Sequence, residues 1–341
     1  MRKLIPVLVV ILMLCGTALA DMDVYYLDVG QADAAVVVCD NEVMMIDGGN
    51  PKDSQFIYSF LRNTLGIDSI DIVVATHPHD DHIGGLPAAL NAVDAGLILS
   101  PVSEYDSKRF SSLLKYAPQG VTVPNVDDTY HLGDAVITIL GPAAAFGDIN
   151  DWSIVLRIDY GSTSFLFTGD ASADAEWDML SRSADLDCDV LKVGHHGSES
   201  SSSAAFLKAA APDYAVISVG LVNSFGHPSV NTIDRLTAVG ASIYRTDMNG
   251  TIRCHSNGRT LSFQTEKSVK SEQHSDAAVT SDKEVHGDAH EVRYVGNTNS
   301  HKFHYPDCQS VSQMKEKNKC FFSSRDEAIS QGFAPCKNCN P

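Results

Sequence analysis

Basic residues are scarce in this sequence of 341 residues. It contains 25 Lys and Arg against 43 Asp and Glu, which gives a formal net charge of −18 at pH 7. Such an acidic balance excludes a protein coated with basic nucleic-acid-binding patches, although it does not exclude local ones. Hydrophobic residues make up 44 % of the chain and charged residues 20 %. This composition indicates a globular protein with enough material for one large domain and a small one.

Apolar runs of membrane-spanning length are lacking after the first twenty residues. After Met1 come two basic residues, Arg2 and Lys3, then an apolar stretch from Leu4 to Cys15, and then the small-residue sequence Ala-Leu-Ala before Asp21. This order is typical of a secretory signal peptide, and the stretch is short for a membrane helix. We therefore expect residues 1–20 to be a signal peptide and the protein to be secreted or associated with the cell envelope. An uncleaved N-terminal anchor is the alternative.

One segment near the C-terminus lacks the residues that build a core. Residues 264–290 contain no aromatic residue and no Leu, Ile or Met. Such a segment cannot bury enough apolar surface to fold, which predicts a flexible linker over residues 264–291. The linker separates a predicted large domain, residues 21–263, from a predicted small domain, residues 292–341.

Short apolar runs alternate with Gly, Asp and Asn turns throughout the large domain. Runs such as "VYYLDV", "AAVVVC", "SIDIVVAT" and "TSFLFTGD" predict strands. Helices are predicted over residues 54–63, 87–95, 171–181, 203–211 and 231–239. Two halves, each with strands followed by helices, favour the α/β (α+β) class, with two sheets packed face to face and helices outside.

A dense polar motif follows the apolar strand "SIDIVVAT". It reads His77-x-His79-x-Asp81-His82 and ends in Gly-Gly. In a loop, ligands at alternate positions converge on one point, and the adjacent Asp-His pair faces a second point. Imidazole and carboxylate suit Zn²⁺, and also Mn²⁺ or Fe. The motif therefore predicts a metal site rather than a solvated loop.

Matching polar residues follow other predicted strands. Asp170 ends "FLFTGD", His195 and His196 lie in "VLKVGHHGS", and His227 lies in "NSFGHPS". Each lies in a glycine-containing loop, where functional groups collect. Alone, Asp170 would suit a helix cap and His227 an ordinary loop. Together they favour a site assembled from several strand ends.

These motifs carry a resemblance. "THPHDDHIGG", "FTGD" and "HHGS" resemble the metallo-β-lactamase superfamily, which implies a four-layer αββα sandwich with a two-metal site. "LDVGQAD", "IDGG", "LKVGHHGSESSSS" and "YRTDMNGTI" resemble the hydrolase domain of ComEC-type DNA-uptake competence proteins, over roughly residues 23–255. The membrane channel of those proteins is absent here, so we expect a free-standing, exported form of the hydrolase part.

The resemblance implies metal ligands at six positions, for two zinc ions with Mn²⁺ as an alternative at the catalytic centre. The first metal is held by His77 and His79, the second by Asp81, His82 and His195, and Asp170 bridges the two.

The resemblance also implies residues that act on substrate. His196 and His227 are predicted to contact substrate or move protons, at the usual imidazole pKa of about 6.5. Asp81 is predicted to take part in catalysis as well as in metal binding. Lys192 and Asp33 are predicted to bind substrate.

The pattern departs from the superfamily at one metal ligand. Another histidine often binds the first metal, but the sequence has only His131 between the first motif and Asp170. The context of His131 suits a strand edge. Asn150, Asp151 and Ser153 are the candidates to replace it. An oxygen ligand makes the first site harder and weaker, which favours Mn²⁺ and leaves one-metal and two-metal occupancy both open.

These residues favour a phosphodiesterase or nuclease acting on DNA, in which a metal-bound hydroxide attacks phosphorus. A hydrolase of β-lactams or of other esters is one alternative. A non-catalytic, metal-stabilised protein that binds DNA or the cell wall is another.

The small domain has its own ligand pattern. It reads His304-x3-Cys308-x27-Cys336-x2-Cys339, which predicts one structural zinc. Disulfides are the alternative in an exported chain. The segment resembles the zinc-binding domain at the start of the Ada DNA-repair methyltransferase. There the first ligand is a reactive cysteine. Here it is His304, so the resemblance implies a structural zinc and contact with DNA but no methyl acceptance.

Overall fold

The computed structural model describes residues 21–267, 294–305, 308–322, 328, 331–336 and 339. The predicted signal peptide and residues 268–291 of the predicted linker lie outside the described residues. The chain divides into two compact units, Met1–Lys270 and Ser271–Pro341. Within the part that the structure describes, no helix is long and apolar enough to cross a membrane.

Fourteen strands form the described part of the larger unit. They are β1 (Met22–Tyr26), β2 (Ala34–Cys39), β3 (Glu42–Gly48), β4 (Ser69–Val74), β5 (Asp94–Leu99), β6 (Thr129–Leu132), β7 (Ala135–Gly141), β8 (Val155–Tyr160), β9 (Thr163–Phe167), β10 (Val190–Lys192), β11 (Tyr214–Ile217), β12 (Ser242–Arg245), β13 (Ile252–Ser256) and β14 (Leu261–Thr265).

The strands form two seven-stranded sheets with similar designs. The first sheet has the order β14-β13-β1-β2-β3-β4-β5, and the second has the order β12-β11-β10-β9-β8-β7-β6. In the first sheet β3, β4 and β5 run parallel, and the other pairs are antiparallel. In the second sheet β9 to β12 run parallel, and β6 to β9 are antiparallel.

Helices connect the strands. They are α1 (Ser54–Ser59), which continues as a π-helical turn Phe60–Thr64, α2 (Asp80–Ile83), α3 (Leu86–Ala92), α4 (Lys108–Lys115), α5 (Ala173–Ser181), α6 (Ala204–Ala210), α7 (Val230–Ala238) and α8 (Thr246–Asn249). Short 3₁₀ turns occur at Pro51–Asp53, Ile149–Trp152 and Gly194–Gly197.

Three apolar layers hold the unit together. The central layer lies between the sheets and includes Val24 and Val37 from the first and Leu156 from the second, all fully buried. A second layer packs the other face of the first sheet on α1, α3 and α4. A third packs the second sheet on α5, α6 and α7. The larger unit is therefore an αββα sandwich, as the sequence predicts.

Two local predictions differ from the structure. The helix predicted over residues 87–95 ends at Ala92, and β5 begins at Asp94. Parallel pairing with β4 imposes this early end, because Ile98 and Leu99 complete the sheet beside Val73 and Val74. Helix α4 was not predicted, although Ser107 caps it by accepting a hydrogen bond from the backbone of Phe110.

The smaller unit contains a four-stranded sheet. Its strands are β15 (Tyr294–Asn297), β16 (Lys302–His304), β17 (Lys319–Phe322) and β18 (Ala334–Pro335), in the order β17-β15-β16-β18, with one helix, α9 (Gln309–Ser312), and a 3₁₀ turn, Glu316–Asn318. Tyr294, Phe303 and Phe322 form a small core with Ala328. A core of this size leaves the fold dependent on another source of stability.

Candidate metal centre

The residues of the candidate site lie in loops that follow the ends of four strands. Strand β4 leads into the loop with the first three histidines, and β9, β10 and β11 lead to Asp170, His195–His196 and His227. The loop after β4 lies against the end of β3, since a Cβ atom on Gly85 would overlap the carbonyl oxygen of Gly48. Glycine at this position is required by the close approach of two backbones.

Three side chains form the first half of a buried cluster. His77 Nε2 lies 2.9 Å from His79 Nδ1 and 3.9 Å from Asp170 Oδ2. His77 and Asp170 are buried, and His79 is half-buried. All three were predicted as metal ligands, and the structure brings them together.

The second half of the cluster shares Asp170. His82 Nε2 lies 3.3 Å from Asp170 Oδ1, and His196 Nε2 lies 3.3 Å from Asp81 Oδ2 and 3.8 Å from Asp170 Oδ2. Asp81, His82 and His196 offer ligand atoms within 4.8 Å of one another. Asp170 thus lies between the two groups, the position predicted for a bridging ligand.

The two adjacent histidines after β10 have different surroundings. Both have a left-handed backbone, with φ of 50° and 53°. His196 is buried in the cluster, whereas the side chain of His195 is 25 % exposed and its Nε2 lies 3.7 Å from Asp170 Oδ2. His195 was predicted to bind metal and His196 to contact substrate or move protons. Both line the cavity, and Nε2 lies 3.7 Å from Asp170 Oδ2 in His195 and 3.8 Å in His196. The deeper burial of His196 and its contact with Asp81 favour His196 as the ligand.

Unpaired polar atoms test whether the cluster fits a metal. His82 Nε2, Asp170 Oδ1 and His196 Nε2 are buried and make ion-pair contacts at 3.3 Å, but among the described residues none of the three has a hydrogen bond of normal geometry. A buried polar atom without a partner is costly. Imidazole nitrogens and carboxylate oxygens that converge in this way are the donors that Zn²⁺ and Mn²⁺ accept. The residues therefore fit a divalent cation.

Asp47 positions His82. Its carboxylate lies 2.7 Å from His82 Nδ1 and accepts hydrogen bonds from the backbone and hydroxyl of Thr76, at 2.9 and 2.7 Å. Because Nδ1 is occupied, Nε2 faces the cluster. A carboxylate behind a metal-binding histidine sets the tautomer and the ring orientation.

Asp33 and Lys192 have a similar supporting position. Lys192 Nζ donates to Asp33 Oδ2 at 2.6 Å, and Asp33 Oδ1 lies 3.1 Å from His196 Nδ1. Both side chains are only 5 % exposed. Both residues were predicted to bind substrate. In the structure they are buried behind His196, where the ammonium group neutralises Asp33, so their geometry suits a positioning role.

The structure separates the candidates for the missing third ligand. Asp151 accepts a hydrogen bond from the backbone of Ser172 at 2.7 Å, and Ser153 Oγ lies between the backbone N–H of Asp170 and His77 Nδ1, at 2.9 and 3.3 Å. Asn150 Oδ1 is buried, and the described residues give it no hydrogen bond. His131 lies exposed on the edge strand β6. Asn150 is thus the candidate with a free oxygen.

A cavity of about 220 Å³ opens beside the cluster. It is lined by Gln31, His79, Asp81, Asn150, Asp170, His195, His196, Phe225 and His227. Gln31 Nε2 lies 3.4 Å from His227 Nδ1. Gln31 and Phe225 were not predicted as site residues. The sequence feature that could have identified them is their position inside the motifs "GQAD" and "NSFGHPS". The cavity gives a substrate access to both halves of the cluster.

Neither predicted proton-moving histidine keeps its ordinary pKa. Burial by itself would lower the pKa of His196, but the carboxylates of Asp170 and Asp33 outweigh it and raise the pKa to about 10. Burial, followed by repulsion from His195 and His196, lowers the pKa of His227 to about 4. His227 is therefore neutral at pH 7. The carboxylates that hold a proton on His196 would equally attract a cation in its place.

The smaller unit holds a second cluster of ligands. His304, Cys308, Cys336 and Cys339 place ligand atoms within 4.8 Å of one another, and His304 Nδ1 lies 3.9 Å from Cys339 Sγ. None of the cysteines that the structure describes forms a disulfide. Cys320 packs instead against the small core. One imidazole and three thiols are a typical ligand set for structural zinc.

Comparison with known proteins agrees with this geometry. Residues 27–220, more than half of the chain, match the model of the metallo-beta-lactamase superfamily, and residues 275–341 match the metal binding domain of Ada. The chain belongs to the metallo-β-lactamase superfamily. It is thus a hydrolase of the metallo-β-lactamase fold with an Ada-type metal-binding domain, which confirms the predicted resemblance and fold class.

Two competence proteins and one solved structure are similar to this chain. ComE operon protein 3 of Bacillus subtilis (strain 168) is 28 % identical over 262 residues, which cover 71 % of this chain and 34 % of that protein. Competence protein ComA of Neisseria gonorrhoeae is 29 % identical over 228 residues, which cover 66 % of this chain and 31 % of that protein. The chain therefore spans about a third of the length of these relatives. Among solved structures, the metallo-beta-lactamase fold protein YhfI from Bacillus subtilis is 15 % identical, with a TM-score of 0.43 over 66 % of this chain and 95 % of that chain.

Proposed function

We propose that the larger unit is a metal-dependent phosphodiesterase that hydrolyses DNA. The observation that carries this proposal is the pair of half-clusters that share the buried carboxylate of Asp170 beside one cavity. Two-cation sites of this kind suit the displacement of an oxygen from phosphorus. The similarity to ComE operon protein 3 and Competence protein ComA supports nucleic acid as the substrate class.

The residues present define where the cations would lie. His77, His79 and Asn150 would hold the first, Asp81, His82 and His196 the second, and Asp170 would contact both. When bound, such cations lower the pKa of coordinated water and neutralise charge on phosphoryl oxygens. An amide oxygen makes the first site harder than three histidines would, which favours Mn²⁺ there.

The remaining cavity residues would position the substrate. His195 and His227 line one wall with ring centroids 5.5 Å apart. Since His227 is neutral at pH 7, it orients a phosphate or leaving oxygen by hydrogen bonding. Gln31 beside its Nδ1 leaves Nε2 available. Asp47 and Asp33 act from behind, where they hold His82 and His196 in place.

The smaller unit would assist as a tethered module. We propose that its His-Cys cluster binds one structural zinc and that its exposed lysines, Lys315 and Lys317, contact phosphates. A tethered nucleic-acid-binding module raises the local concentration of substrate for the attached hydrolase. We also propose that residues 1–20 direct export, so that the enzyme meets DNA outside the cytoplasm.

Replacement of the shared carboxylate tests the catalytic proposal. Purified protein with Mn²⁺ or Zn²⁺ is expected to cleave DNA, to stop on addition of chelator, and to leave β-lactams intact. D170A is expected to abolish cleavage. D174A is the matched control, because Asp174 is an exposed aspartate on the adjoining helix α5. Cleavage that survives D170A would contradict the proposal, and hydrolysis of β-lactams alone would favour the other branch of the superfamily.

A further inference from the structure

An apolar loop stands beside the mouth of the cavity. After β11 the chain exposes Leu221, Val222 and Phe225, which are 79 %, 91 % and 69 % accessible to solvent. Exposed apolar side chains that cluster beside a polar cleft mark a surface for binding. The metal-dependent chemistry proposed above makes no use of them.

The loop is held in this shape by Asn223. Its Nδ2 donates to the carbonyls of Gly220 and His227, at 2.9 and 2.7 Å, and its Oδ1 accepts from the backbone of Phe225 and His227, at 3.2 and 3.0 Å. Gln31 accepts a hydrogen bond from the backbone of Gly220 at 3.1 Å. The hydrogen bonds of the Asn223 side chain therefore fix the loop with its apolar side chains exposed to solvent. Pre-organisation of this kind lowers the entropy cost of binding.

Phe225 connects the loop to the site. Its ring stacks on His227 with centroids 5.6 Å apart and an interplanar angle of 24°. Both rings line the cavity that contains Asp81 and Asp170. A ligand group that contacts the Phe225 ring is therefore adjacent to the part of the same ligand that occupies the cavity.

We propose that Phe225 is a stacking platform for an unpaired nucleobase next to the scissile phosphate. This inference rests on the proposed function and names its substrate more closely. A nucleotide joins a planar apolar ring to an anionic phosphodiester, and the structure offers an exposed aromatic ring beside a candidate cation site. Every base has a π-face, so stacking binds single strands with little sequence preference. In a duplex that face is covered by neighbouring bases, and Phe225 cannot reach it.

Other occupants fit the surroundings less well. A lipid surface would take up the apolar side chains, but a planar membrane cannot enter the cavity that Phe225 lines. A second copy of this chain would cover the apolar loop but would also close the cavity of which Phe225 and His227 form the wall. Continuity with the cavity therefore favours the substrate itself.

Binding to oligonucleotides with and without bases tests the platform. Metal-loaded protein is titrated with a fluorescent single-stranded thymidine 12-mer whose phosphorothioate linkages hydrolyse slowly, and anisotropy is measured. F225A is expected to weaken binding by about 5- to 150-fold, since one base–aromatic stack is worth about 1–3 kcal/mol. F225W is expected to retain binding. W177A is the matched control, because Trp177 is an aromatic residue of similar exposure, 68 %, on helix α5.

A second oligomer isolates the base. An abasic deoxyribose 12-mer with the same linkages is expected to bind the wild-type protein weakly, and F225A is expected to change that affinity little. Equal loss of both oligomers, or no loss of either, would overturn the platform. A change of oligomeric state in F225A without a change in oligonucleotide binding would overturn it in favour of self-association. Failure of the proposed function is separate, because DNA cleavage is read on gels and the base preference is read from binding.

Discussion

The two ligand clusters of this protein are built from different atoms for different ends. The cluster in the larger unit combines imidazoles with carboxylates drawn from loops between His77 and His196, and it opens on a cavity of about 220 Å³. The cluster in the smaller unit combines one imidazole with three thiols from the last part of the chain, beside two small groups of buried apolar side chains among the described residues. Hard oxygen donors leave a cation free to exchange water and substrate. Soft thiolates bind zinc tightly and stabilise a small fold.

Loss of a thiolate should have the largest effect on folding. C336S removes a buried candidate ligand of the smaller unit, and in zinc-finger peptides structural zinc contributes about 10–16 kcal/mol of apparent folding free energy. We expect the variant to lose one equivalent of zinc and the protease resistance of residues 294–339, while the larger unit keeps its metal-dependent activity. Metal analysis and limited proteolysis of the full chain measure both. C320S is the control, since Cys320 lies in the small core, and zinc loss there as well would contradict the assignment.

Comparison of the two adjacent histidines sharpens the assignment of the catalytic centre. H196A is expected to weaken binding of the second cation by more than roughly 100-fold. That is the largest loss expected when a residue that only hydrogen-bonds to a metal ligand is removed. H195A should alter substrate affinity more than metal content. Equilibrium dialysis of the metal and thermal melting of both variants separate ligand loss from unfolding. The opposite ranking would return the ligand role to His195.

Removal of a supporting carboxylate should have an intermediate effect. D47N leaves His82 without its anionic partner and is expected to weaken metal binding by roughly 10- to 100-fold. D71N is the control, because Asp71 on β4 accepts a hydrogen bond only from the backbone of Val43 among the interactions seen at its carboxylate. Isothermal titration with Mn²⁺ compares them. Equal affinities would show that Asp47 has no positioning role.

The smallest effect should come from the amide at the first site. N150A is expected to lower the affinity of one of two Mn²⁺ equivalents, and N150H to shift preference towards Zn²⁺, because imidazole is the softer donor. N125A is the control, since Asn125 lies in a turn bonded to Asp128. The electron paramagnetic resonance spectrum of bound Mn²⁺ and the number of bound ions per chain report the change in metal binding without an assay of activity. Two unchanged equivalents in N150A would exclude the amide as a ligand.

Several features of the site could be predicted from the sequence because they are local. The spacing His77-x-His79-x-Asp81-His82 defines a ligand loop by itself, and a strand followed by Gly-Asp or Gly-His-His places polar groups at a sheet edge. Alternation of apolar residues predicted most strands. Helix α4 and the early end of α3 were missed, because sheet pairing between distant segments decides them.

The sequence by itself determined which residue types meet at the centre, the four-layer class and the two separate ligand clusters. Only the tertiary structure decided which of His195 and His196 is buried in the cluster. It also decided that Lys192 forms an ion pair with Asp33, 159 positions away, and that Asn150, rather than Asp151 or Ser153, has an oxygen without a hydrogen bond. The physical reason is that side-chain direction at a left-handed residue, and burial of a charge, depend on partners far away in the chain. Sequence spacing does not record those contacts, and packing of the two sheets creates them.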